Sequence, residues 1–308
     1  MAYDSDYLVD RRRLKRRLTF WRTLAVVAVL AAVLAAFGRF YGFGGFGPVA
    51  GDFVARIDVE GVITHDEQRL ETIRDLAADD SVRAVILHIN SPGGTVVGGE
   101  TLYRAVLDLG EKKPVIVVME SIATSAAYMT AIAADRIYAR EGTLTGSIGV
   151  IMQATEVTKL LEMIGVSMRA FKSGPLKAEP SPFEPITPDV AAATQRLIDE
   201  MYVMFRDMVL ARRNMTLADA DRFADGRVFT GRQALRAGLV DGIGGEVEAL
   251  SWLQREKGLP EDIRVRRVRN HREVGDLFGK LDSLARKTIL SERLTLDGLV
   301  SVWHPDLR

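Results

Sequence analysis

Residues 53–59 (FVARIDV), 84–89 (AVILHI) and 115–119 (VIVVM) decide the fold. Each is a short apolar run rich in Val and Ile, and the three recur about thirty residues apart. Between them, residues 66–78 and 98–109 carry apolar side chains at helical spacing. Strand and helix alternating in this way imply βαβ crossovers. Runs this continuous imply strands covered on both faces of a mainly parallel sheet. Working outward, residues 124–134 read as an Ala-rich helix, 136–139 as a strand, and 156–164 as a helix stopped by Gly165. A strand is expected at 166–171. Past a proline-rich loop, 189–214 reads as a long amphipathic helix, followed by shorter helices at 217–223, 231–237 and 246–256. The expected class is α/β, with one domain over residues 53–260 and a basic tail over 261–308.

Composition narrows the chemistry. The chain has 308 residues, 47% hydrophobic and 27% charged, so it is neither low-complexity nor disordered. Lys+Arg and Asp+Glu are both 41, and zero net charge argues against a nucleic-acid partner. Absence of cysteine excludes disulfides, thiolate metal sites and a cysteine nucleophile. The four histidines (His65, His88, His271, His304) are too scattered to suggest a zinc site. Chemistry therefore falls to Ser, Thr, Lys, Asp or Glu.

The balanced total hides a local asymmetry. Residues 11–17 (RRRLKRR) are basic, and 23–38 follow as sixteen residues without a charge. A helix of that length spans about 24 Å, and flanking Arg22 and Arg39 can snorkel to reach across a hydrocarbon core of about 30 Å. Phe20, Trp21, Phe40 and Tyr41 supply interfacial aromatics. This reads as an uncleaved membrane anchor over 23–41, behind a cytoplasmic N-terminus at 1–22. The positive flank places the later chain across the inner membrane. A cleaved signal peptide and a buried core helix are the rival readings. Residues 42–47 (GFGGFG) match G-x-G-x-x-G in letters, but no strand precedes them, so 42–52 is read as a linker.

Three loops are richer than connectors need. Asn90-Ser91-Pro92-Gly93-Gly94 leaves backbone N–H groups uncovered, which suits an oxyanion hole or equally a tight strand-to-helix turn. Residues 121–128 (SIATSAAY) put hydroxyls at the start of a helix, where Thr124 or Ser125 could simply be the N-cap. Residues 143–149 (TLTGSIG) form the third, with Lys172 and Lys177 not far downstream. No G-x-S-x-G elbow or suitably placed histidine is present. An ordinary lysine is neutral in only about 0.04% of molecules at pH 7. A desolvated one can serve as base, so a Ser–Lys dyad is permitted without being required.

Residues 87–94 (LHINSPGG), 123–128 (ATSAAY), 144–150 (LTGSIGV), 172–177 (KSGPLK) and 225–241 (DGRVFTGRQALRAGLVD) resemble the signal peptide peptidase A family, in the family's order. These are membrane-anchored serine–lysine peptidases of the Clp protease/crotonase fold, built of repeated ββα units. The resemblance implies Ser125 as nucleophile, Lys177 rather than Lys172 as general base, and Ser147 as the residue that positions the lysine. It places the oxyanion region at Gly93 and Gly94. It further implies remnant signal peptides as substrates, a homo-oligomeric ring, and no cofactor or metal. Ala126-Ala127 depart from a frequent Gly-Gly, and Ala178 from a frequent acidic residue. A silent scaffold and a crotonase-like thioester enzyme are the alternatives. Met201, Met204 and Met208 read as core or interface, His88 as a satisfied buried histidine, and 264–272 as a solvated basic face.

Overall fold

The computed structural model describes residues 18, 20–31, 51–220, 222–268 and 300–302. The chain divides into two compact units, Met1–Gly51 and Asp52–Arg308. In the first, residues 20–31 form helix α1. No described helix is long and apolar enough to cross a membrane. The rest of the expected anchor and linker (32–50), most of the basic N-terminus, and residues 269–299 of the tail lie outside the described residues.

The second unit is a mixed α/β structure around one eight-stranded sheet. Strand β1 (Phe53–Glu60) leads through α2 (Glu67–Ala78) to β2 (Val82–Ser91), and β3 (Gly93–Thr95) leads through α3 (Val96–Gly110) to β4 (Val115–Thr124). Next come α4 (Ala126–Ala131), β5 (Arg136–Ala139), β6 (Leu144–Gly146) and α5 (Thr158–Met163). Helix α6 (Pro188–Arg213) is capped by Thr187 and ends at Asn214 in the left-handed conformation. Helix α7 (Leu217–Ala220), β7 (Val228–Thr230), α8 (Gly231–Arg236), β8 (Gly242–Ile243), α9 (Glu246–Lys257), β9 (Arg264–Arg267) and β10 (Val300–Val302) complete the order. The sheet order is β7-β6-β4-β2-β1-β9, with β5 also on β4 and β8 on β5. Every pair is parallel except β6 with β7.

The continuous apolar runs have their expected cause. On one face Ile57, Val59, Leu87, Ile89, Val117 and Met119 meet buried residues of α2, α3, α4 and α6. On the other, Val54, Ile86, Ile116, Val118 and Tyr138 meet Ala249 and Leu253 of α9. Alternate residues of each strand are thus buried on opposite faces.

Two expectations change. Residues 166–171 form no strand: Val166, Met168 and Phe171 point outward, Phe171 being 99% exposed, and no ladder runs alongside them. Alternation alone could not reveal the missing neighbour. The sheet also continues past residue 260, because β9 pairs with β1 and buries part of Val265. Its arginines fit the open edge of a sheet, where charge discourages further pairing.

Candidate active site

Strand β4 delivers the site. It ends at Thr124, and Ser125 comes next at φ 58°, ψ −121°, before α4 begins at Ala126. A residue with a side chain rarely adopts this backbone, and holding it costs on the order of 1–3 kcal/mol. Two main-chain bonds fix it: Ser125 N–H donates to the Gly146 carbonyl at 2.8 Å, and the Ser125 carbonyl accepts from Met129 N–H at 2.8 Å. Ser125 is the N-cap residue by position, yet its hydroxyl makes no capping bond. Its Oγ has no partner among the described residues, and the residue is 1% exposed. The capping role left open by sequence is therefore not what Ser125 performs.

Helix α4 is wholly buried. A Cβ on Gly99 of α3 would come within 2.8 Å of Ala126 Cβ, so the small residues let α3 and α4 close together. Tyr128 donates from its hydroxyl to the Leu239 carbonyl at 2.8 Å, and complete burial raises its pKa well above the usual phenol value.

The glycine loop lies alongside. Thr124 Oγ1 donates to the Pro92 carbonyl at 3.0 Å, tying the loop to the strand that ends in Ser125. Gly93 sits at φ 112°, and its N–H donates to Ser91 Oγ at 3.1 Å, so that donor is shared with a neighbouring hydroxyl. Gly94 bridges Ile63. On the other side of β3, Val300–Val302 lies antiparallel, with Val300 opposite Thr95, Ser301 opposite Gly94 and Val302 opposite Gly93. The edge at the glycine loop thus accepts an extended chain.

The third loop completes one wall. Strand β6 pairs Thr145 with Ala123 and Gly146 with Thr124. Ser147 comes after it at φ 51°, half-buried, its N–H donating to the Arg227 carbonyl at 2.8 Å. Lys172 is bound by Glu179 and by Glu184, the latter at 2.8 Å. The bond to Glu179, and then that to Glu184, raise its pKa. Lys177 is exposed, and its Nζ has no partner among the described residues. No hydrogen bond joins it to Ser125. The structure brings Ser125, the glycine loop and the 144–147 strand end together, and leaves Lys177 on the surface of a single chain.

Sequence reasoning missed a polar cavity of about 630 Å³ on the α9 side, lined by Arg56, His88, Glu120, Arg140, Thr143 and Glu246 among others. His88 is buried there. Its Nδ1 lies 2.9 Å from Glu120 Oε1, while Nε2 is 2.8 Å from Glu246 Oε2 but out of line for a hydrogen bond. It is half-satisfied rather than fully so. Asp241, at the end of the 225–241 motif, accepts from Ile137 N–H and pairs with Arg213, joining α6 to β5.

An unbonded serine in a strained strand-to-helix turn, beside a glycine loop and a receptive sheet edge, is the equipment of a serine peptidase. The chain belongs to peptidase family S49, whose model matches residues 108–260. It is 38% identical over 211 residues to a "Putative protease" of Synechocystis, covering 68% of this chain and 76% of that one. It is 33% identical to "Serine protease SPPA, chloroplastic" of Arabidopsis thaliana, over 76% of this chain and 35% of that one. A "Putative signal peptide peptidase SppA" of Enterococcus faecium is also 33% identical, over 62% of this chain and 56% of that one. Among solved structures, the chain is similar to ClpP1 from Listeria monocytogenes at 16% identity and TM-score 0.43, covering 63% of this chain and 94% of that one.

Proposed function

We propose that this chain is a membrane-anchored serine endopeptidase with a Clp protease/crotonase-like fold, in which Ser125 is the nucleophile and Lys177 the general base. The conformation of Ser125 carries the reading. Its backbone is held in strain while its hydroxyl is left unbonded, an arrangement with no structural use for the hydroxyl. In the proposed reaction, neutral Lys177 takes the Ser125 proton as Oγ attacks a peptide carbonyl. The N–H groups of Gly93 and Gly94 stabilise the oxyanion, Gly93 exchanging its bond to Ser91 Oγ. The C–N bond breaks as the lysine returns the proton to the departing amine. Water, deprotonated by Lys177, then attacks the acyl carbonyl, the bond to Ser125 Oγ breaks, and the lysine returns the proton to Oγ. Ser147 positions the lysine.

A lysine serves as base only when desolvated. Lys177 lies on a segment whose Met168, Phe171 and Leu176 are exposed. Burial of that segment against a second copy would supply both the desolvation and the approach to serine. This supports a homo-oligomeric ring with Lys177 contributed by a neighbour. The pairing of β10 on β3 supports extended peptides as substrates, bound as an added strand. The anchor at 23–41 directs the choice toward remnant signal peptides and other hydrophobic peptides at the membrane, with the domain extracytoplasmic.

A fluorophosphonate tests the chemistry. Wild-type oligomer should be labelled and lose peptide hydrolysis, whereas Ser125→Ala should take no label. Labelling of Ser125→Ala at the wild-type rate would overturn the assignment. For location, protease added to spheroplasts should digest the domain beyond residue 52, and full protection would overturn the orientation.

A further inference from the structure

The strand that carries Ser125 is irregular five residues before it. Strands β2 and β4 pair residue for residue from Val85 with Val115 to Ile89 with Met119, then resume at Ser91 with Ala123. One residue of β2, Asn90, is thereby set against three of β4: Glu120, Ser121 and Ile122. The other edge of β4 breaks at the same place. It pairs with β5 as far as Met119 and with β6 only from Ile122. Glu120 and Ser121 have no ladder partner on either side. A bulge of this kind bends a strand and re-aims the residues beyond it, and bulges concentrate beside active sites.

Side chains take over the bonds that the ladder gives up. Thr143 Oγ1 donates to the Glu120 carbonyl at 2.6 Å and accepts from Arg140 N–H at 2.9 Å. Thr143 is 1% exposed and forms part of the wall of the polar cavity, so in the folded chain this carbonyl is bonded by a side chain fixed in place. Asn90 Oδ1 accepts from Ile122 N–H at 3.4 Å. Beyond the bulge, Thr124 reaches Pro92 and Ser125 reaches Gly146. The offset between β2 and β4 therefore sets where the Ser125 hydroxyl stands relative to the Gly93–Gly94 loop.

We propose that Thr143 is a positioning residue of the peptidase reaction, with Asn90 as its weaker partner. Its hydroxyl holds the β4 bulge and so aims Ser125 at the carbonyl that the glycine loop receives. The inference rests on Ser125 as nucleophile. It predicts a defect in the chemical step rather than in peptide binding, because the β3 edge is untouched.

The test compares Thr143→Val, which keeps the shape and removes the hydroxyl, with Thr143→Ser, which restores it. Both are measured as the assembled full-length protein, with kcat expressed per site titrated by fluorophosphonate. Thr143→Val should lose about 10- to 100-fold in kcat with KM changed by less than about threefold, since small misplacements of reacting groups cost that much. Thr143→Ser should recover to within about threefold of wild type. Asn90→Ala, at the longer bond, should show the same split at about 3- to 10-fold, and it decides the matter if Thr143→Val does not fold. Unchanged kcat per titrated site with only a lowered Tm would overturn the proposal, as would a Thr143→Ser variant as impaired as the valine. Failure of the underlying reading shows separately, as continued labelling of Ser125→Ala.

Discussion

Replacing Gly94 by alanine puts a methyl group where the chain has no room. The added Cβ would lie 1.8 Å from the Ile63 carbonyl oxygen, 2.5 Å from its carbon and 2.6 Å from its nitrogen. All three are backbone atoms, so no side-chain rotation relieves the contact. Ile63 is held from both ends: its N–H donates to the Gly93 carbonyl at 2.8 Å, and its own carbonyl accepts from Thr95 N–H at 2.9 Å. Opening the closest contact to 3.0 Å moves these segments apart by about 1.2 Å, which breaks both bonds. At about 1–3 kcal/mol for each of the two broken bonds, the loss is about 2–6 kcal/mol. For a folded unit of about 200 residues this lowers Tm by about 5–20 °C. Calorimetry on wild type and Gly94→Ala measures it. Gly110→Ala is the control, because nothing lies within 4 Å of its added Cβ at the end of α3. That variant should gain about 0.5–1 kcal/mol from reduced unfolded-state freedom. A Gly94→Ala protein melting within about 2 °C of wild type would refute the steric reasoning.

Lys177→Ala should abolish hydrolysis and Lys172→Ala should retain most of it; the reverse pattern in a peptide assay would show that the base is misassigned. Mixing inactive Ser125→Ala with inactive Lys177→Ala protein should restore activity if neighbours share the dyad, and continued inactivity after verified subunit exchange would place a complete dyad in each chain. Ser301→Pro, which places a residue lacking N–H opposite Gly94, should free the β3 edge and lower KM for peptides, whereas an unchanged KM would mean that β10 does not compete with substrate. Tyr128→Phe should melt below wild type at pH 7 by the loss of the bond to Leu239. Burial raises the Tyr128 pKa, so wild type should lose stability as pH rises past the ordinary phenol value, where the unfolded chain ionises first. The gap to Tyr128→Phe should therefore narrow above about pH 10, and a constant gap would contradict the burial effect.

The three founding strands were legible because both sheet faces are covered, which leaves uninterrupted apolar runs. The long helix was legible too, expected at 189–214 and found at Pro188–Arg213. Strands β3, β6, β7 and β8 have two or three residues each, too short to show any period. Residues 166–171 erred the other way, since their alternation has a strand's form but no neighbour in this chain. Arg264–Arg267 looked like a solvated face, and one half-buried valine between arginines was too little to mark an edge strand. Within the site, the loops announced themselves by composition. The positive φ of Ser125 did not, because serine shows no preference for it. Thr143 stood in the third of those loops, but its use depends on the orphaned Glu120 carbonyl, a consequence of pairing that no local window contains.

Ser125 and Lys177 differ in what holds them, and the difference matches what the proposed reaction asks of each. A nucleophile must be placed to a fraction of an ångström, and Ser125 stands between a sheet strand and a buried helix with both backbone polar groups bonded. Its strain persists only because β4, β6 and α4 together leave it no alternative. A lysine base needs above all to lose its water. Lys177 stands on an exposed segment with apolar neighbours, where the docking of a second surface would change its solvation far more than any adjustment within the chain. Folding would then fix the serine and assembly would switch on the base. A single chain carrying the strained serine would remain a poor hydrolase until its neighbours arrived, which suits a peptidase made among proteins that it must not cut.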